Sequence, residues 1–155
     1  MNVPDRDAEL VACVAGQLGG RTVACAESCT AGLVAQAFAA APGSLDWFRG
    51  GVVAYQRGVK HRVLGVTPGP VVTGSAAEEM ARGVAELLDA DVAVSTTGAA
   101  GPDPLDGAAP GTVVVATYAD GVARSRVFRF AGDPAAVCVQ ASTAALRELA
   151  ARLTA

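Results

Sequence analysis

Apolar residues at Leu10, Val11, Val14 and Leu18 recur at helical spacing until Gly19-Gly20 ends the run, so a helix is predicted over residues 5–18. Residues 22–26 read as a short buried strand, and a second helix is predicted from about Thr30 to the break at Pro42-Gly43-Ser44. A strand over residues 51–55 and a short helix over 58–66 follow, closed by Gly65 and the turn around Pro68-Gly69-Pro70. The next helix runs to about Leu88; Ser75 with Glu78 fits a capping box, and Thr73 is an equal candidate cap. Residues 91–97 read as a strand entering the glycine-rich turn Gly98-Ala99-Ala100-Gly101-Pro102-Asp103, and the loop continues to Pro110, a length that points to function. Two strands, 112–118 and 122–130, are joined by the hairpin turn Ala119-Asp120-Gly121, and Gly132-Asp133-Pro134 opens a last helix to about Leu153. This interleaving predicts an α/β fold, a three-layer α/β/α sandwich with a mixed sheet, formed by one domain over residues 1–155.

Composition narrows the class. Hydrophobic residues make up 52% of the chain and aromatics only 5%, so the core must be built from Ala, Val and Leu. A net charge of −3 argues against a general nucleic-acid binder that neutralises phosphates. No apolar run reaches membrane-spanning length and the N-terminal stretch is charged, so a cytoplasmic protein without membrane attachment is expected. Cys13, Cys25, Cys29 and Cys138 lack a C-x-x-C pairing, and His61 is the sole histidine, which leaves no metal cluster and favours reduced, buried thiols. Cys29 carries one reservation, because a thiol at a helix start can have a lowered pKa.

Three features fall at predicted strand ends, where ligands bind in open α/β sheets. Ser28 lies between the first strand and the second helix; its hydroxyl suits either a helix cap or a nucleophile whose developing charge the helix start stabilises. Tyr55 ends a strand and Lys60 follows it. A serine–lysine pair needs no histidine, but the amine must lose its proton, which requires burial or a neighbouring cation such as Arg57 or Arg62. Taken alone, Lys60 reads as a solvated surface charge and Tyr55 as half-buried packing with its hydroxyl bonded. The third feature, Thr97 to Gly101, could cradle an anion through backbone N–H groups or be a tight structural turn. Asp103 has no acidic partner placed by sequence, and a metal role is not assigned to it.

Three strings, AESCTAGLVA at 26–35, GGVVAYQRGVKHRVLGV at 50–66 and TTGAAGPD at 96–103, resemble the CinA C-terminal domain family, with GTVVVA at 111–116 and the GDPAAV helix opening in support. The family includes stand-alone nicotinamide-nucleotide amidases. The resemblance implies an α/β/α fold and a Ser–Lys amidohydrolase in which Ser28 attacks the carboxamide of nicotinamide mononucleotide, Lys60 is the general base and Tyr55 assists. It implies an oxyanion site from N–H groups near Ser28 and Thr30, substrate contacts at Thr30, Gly51, Thr97, Gly98 and Gly101, no metal or organic cofactor, and a homo-oligomer. An alternative within the resemblance is a nucleotide- or small-molecule-binding module with little catalysis, tied to competence or DNA-damage physiology. The sequence departs from the family pattern in a short lysine-free loop at 104–110, and in Pro134 and Cys138 where arginines usually stand. These departures bear on phosphate binding rather than on the Ser–Lys chemistry.

Overall fold

The computed structural model describes residues 5–155. Its elements in chain order are α1 (Asp5–Gln17), β1 (Val23–Glu27), α2 (Leu33–Ala39), a 3-10 turn (Ser44–Asp46), β2 (Phe48–Val53), α3 (Arg57–Leu64), α4 (Gly74–Leu87), β3 (Val92–Ala99), β4 (Thr112–Ala119), β5 (Val122–Arg129) and α5 (Pro134–Thr154). The five strands form one mixed sheet in the order β2-β1-β3-β4-β5. β1 runs parallel to β2 and β3, whereas β3/β4 and β4/β5 are antiparallel. Alternation along β1 sends Val23 and Cys25 into the core under α1, α2 and α5, and Ala24 and Ala26 into the core under α4. The three-layer α/β/α expectation is thus met.

Small residues set the spacing of the layers. On the α4 side, Ala24, Ala26, Ala93 and Ala116 of the sheet meet Ala76, Ala77, Met80 and Val84 of the helix. α3 crosses α4 so tightly that a Cβ at Gly83 would lie 2.0 Å from the Leu64 carbonyl oxygen. Thr73, rather than Ser75, caps α4 by accepting the Ala76 N–H at 3.1 Å, while Glu78 accepts from Ser125 across the sheet edge. The Thr97-Gly98-Ala99 segment, expected to begin a turn, is strand: it pairs with β4 from Thr97↔Val114 to Ala99↔Thr112. The register makes room only for glycine there, since a Cβ at Gly98 would come within 2.8 Å of the Thr112 carbonyl oxygen.

β1 has β2 on one side and β3 on the other. The chain leaves β1 to one flank and later returns on the opposite one, which opens a crevice beyond the carboxyl ends of these strands. Ser28, Tyr55 and Ala100 stand just past the ends of β1, β2 and β3. Residues far apart in the chain therefore meet at one mouth.

Candidate active site

The turn that carries Ser28 is held by a carboxylate that strand alternation alone would not reveal. Glu27, the last residue of β1, is fully buried. Its Oε1 accepts the Thr30 hydroxyl at 2.6 Å and the Val34 N–H at 2.9 Å, and its Oε2 accepts the Ala35 N–H at 3.0 Å. These amides belong to the first turn of α2, so Glu27 caps that helix from inside the sheet. Ser28 does not cap it: regular helix begins only at Leu33, after Ala31 and Gly32 take positive φ. The Ser28 N–H donates to the Thr96 carbonyl at 3.0 Å, pinning the turn to β3. Ser28 Oγ has no hydrogen-bond partner among the described residues, and Ser28 lines the cleft. The N–H groups of Cys29 and Thr30 likewise donate to no acceptor among the described residues.

Lys60 sits in α3 and is 1% exposed. Its Nζ donates to the Tyr55 carbonyl at 2.9 Å, and no carboxylate lies within ion-pair reach of it among the described residues. Burial is the main cause that lowers its pKa; the adjacent Cys29 thiol opposes the shift, Arg57 adds to it and Asp106 opposes it. The surface-charge reading of Lys60 is therefore corrected, and of the two cations considered it is Arg57 that acts on the amine. Arg57 is itself neutralised, pairing with Asp106 and donating to the Gly69 carbonyl at 2.9 Å. Asp106 also accepts the Val71 N–H at 2.8 Å; that bond and Arg57 hold its carboxyl below the usual carboxylate range. No hydrogen bond joins Ser28 Oγ to Lys60 Nζ, and catalytic hydrogen bonds often tighten only around substrate.

The cleft brings together some of the sequence-predicted residues and leaves others out. Ser28, Tyr55, Gly98 and Gly101 line it, together with Asp103, Pro104 and Leu105 of the long loop. Tyr55 is 68% exposed and its hydroxyl has no partner among the described residues, contrary to the half-buried expectation; it stands beyond the end of an edge strand. Thr30 and Thr97 are internal: the Thr30 hydroxyl joins Glu27 to Thr96, and the Thr97 hydroxyl donates to the Val71 carbonyl at 2.8 Å. Gly51 lies outside the cleft, in β2 opposite Cys25, whose Sγ would be 2.6 Å from a Cβ there. Cys29 is no reactive thiol, since burial and the neighbouring Cys138 push its pKa up to about 12. Cys138 packs on the same turn, its Sγ 2.8 Å from the Cys29 carbonyl, whereas Cys13 is exposed rather than buried.

A family model for the CinA C-terminal domain matches residues 8–153. The chain belongs to the CinA C-terminal domain family. Among its relatives is a protein of Enterobacter agglomerans named nicotinamide-nucleotide amidohydrolase PncC, 40% identical over 135 residues, covering 83% of this chain and 82% of that protein. A CinA-like protein of Chlorobaculum tepidum is 43% identical over 143 residues, which span 85% of this chain and 34% of that protein. A Geobacillus kaustophilus protein named as competence-damage inducible is 47% identical over 102 residues, and the match spans 62% of this chain and 24% of that longer protein. The crystal structure of a CinA superfamily protein from Enterobacter cloacae superposes with a TM-score of 0.92 at 32% identity, covering 99% of this chain and 95% of that one.

Two arrangements at this site, the Glu27 cap and the pairing of Arg57 with Asp106, were not foreseen from sequence. Glu27 is quoted within the first motif, and its signal is an acid closing an otherwise apolar strand, where burial demands partners. The Arg57–Asp106 clamp joins α3 to the long loop across a separation no local pattern reports.

Proposed function

We propose that this chain is an amidohydrolase that hydrolyses the carboxamide of nicotinamide mononucleotide or a close analogue through Ser28 and Lys60. The observation that carries the reading is Lys60: a buried amine with no acid beside it and a lowered pKa, next to the turn that presents a free serine hydroxyl. Uncharged Lys60 takes the Ser28 proton as Oγ attacks the carboxamide carbon. The N–H groups of Cys29 and Thr30 receive the oxyanion. The C–N bond breaks, the amine returns its proton to the departing ammonia, and water then hydrolyses the Ser28 ester to release the carboxylate. Tyr55 borders the substrate at the mouth of the cleft and orients it, while Gly98 and Gly101 allow its close approach. The name of the Enterobacter agglomerans relative supports this choice of reaction.

Ammonia release from nicotinamide mononucleotide by the wild type, lost in Ser28→Ala and Lys60→Met, is the expected result. Absence of turnover on this compound and related amides overturns the reading. The bond from Lys60 Nζ to the Tyr55 carbonyl rather than to Ser28 favours a second one, a ligand-binding module. Tight nucleotide binding without product, unchanged in Ser28→Ala, would select it.

A further inference from the structure

We infer that the cleft selects a cationic nicotinamide conjugate that lacks a phosphate, the nucleoside in preference to the nucleotide, with Asp103 as the residue that recognises the ring charge. The inference rests on the amidohydrolase reading and concerns which amide the same site takes. Its first support is the charge of the walls. Among the described residues lining the cleft, Asp103 is the one acidic side chain, and no lysine, arginine or histidine lines it. An N-substituted nicotinamide carries a fixed positive charge on its ring. The exposed Tyr55 side chain lines the same cleft with Pro104 and Leu105, an aromatic and apolar surface suited to a flat cation.

The second support is that the cationic side chains next to this turn are already committed. Arg57 is bound to Asp106 and to the Gly69 carbonyl. Lys60 must be uncharged to act as a base, so its amine cannot also balance a phosphate. α5 approaches the site, since Cys138 reaches the Cys29 carbonyl from about one turn into the helix. Its start offers an anion little: the Asp133 carboxylate takes the Ala136 N–H at 2.8 Å, and Pro134 has no N–H to offer. A phosphate entering here would give up water without gaining a side-chain cation from the walls, beside the Asp103 carboxylate of its own sign.

The test compares kcat/KM for nicotinamide riboside and nicotinamide mononucleotide, alongside binding of the riboside and its uncharged dihydro form to the full chain carrying Ser28→Ala. The riboside should be preferred over the nucleotide by about tenfold or more. Combining Asp103→Asn with Ser28→Ala should weaken binding of the cationic riboside about fivefold and leave the dihydro form unchanged. Leu105→Arg, at an exposed position on the cleft wall, should raise turnover of the nucleotide relative to the riboside. Preference for the nucleotide in the wild type, or an equal effect of Asp103→Asn on the charged and uncharged forms, overturns this inference and leaves the amidohydrolase reading intact. Failure to hydrolyse either compound removes both.

Discussion

A buried lysine without an acid partner burdens folding below its own pKa and is a base above it. Because folding lowers the Lys60 pKa, the unfolded chain holds more protons between the folded value and the ordinary 10.5. Stability therefore rises with pH through that window, and the burden is complete below it. Replacing Lys60 by the uncharged Met should show this directly: thermal scans of the two proteins across the alkaline range should shift in favour of the wild type as pH rises. The wild-type kcat/KM should climb with pH through an ionisation below the ordinary lysine value, and Lys60→Met should lose roughly 10²-fold or more of the rate. Thiol labelling at mildly alkaline pH should modify exposed Cys13 first and reach Cys25 and Cys29 only after denaturation, because burial raises both thiols. None of this shows in RGVKHRVL read alone, where a lysine on a short polar helix belongs in water. The groups that act on its charge include Cys29 of the Ser28 turn and Asp106 of the long loop, and both arrive from distant parts of the chain.

At the scale of elements, the join between β1 and α2 is held by one side chain. Glu27→Ala strands two amides and leaves the Thr30 hydroxyl with Thr96 alone, and should lower unfolding free energy in urea by about 3 kcal/mol without changing the slope of the transition. Gly51 separates a binding role from a packing one. Gly51→Ala should destabilise by about 1–3 kcal/mol, and Cys25→Ala in the same chain should recover part of the loss by removing the sulfur that the new methyl meets. Order and type of the main elements were legible because glycine and proline punctuate an apolar pattern of clear period. Boundaries were less so. α2 begins later than predicted because Ala31 and Gly32 take left-handed backbone, and β3 runs longer because the β4 register holds Thr97 to Ala99 in the sheet.

For the molecule as a whole, the layers could be foreseen but the strand order could not, since pairing β1 with both β2 and β3 is a long-range choice. That choice gathers Ser28 and Tyr55 at one mouth, while Gly51, on the same edge strand, stays away from it. α5 ties this mouth to the far end of the sheet. The helix has 21 residues, about 30 Å of rise. Near its start Cys138 meets the Cys29 carbonyl, and in its last turn Arg152 donates to the carbonyls of Ala119 and Val122 at 3.0 and 2.8 Å. A rod fastened at both ends carries slackness from one to the other. Arg152→Ala should accordingly quicken deuterium uptake beyond the hairpin tip, progressively along the rod, until the amides flanking Ser28 exchange faster as well.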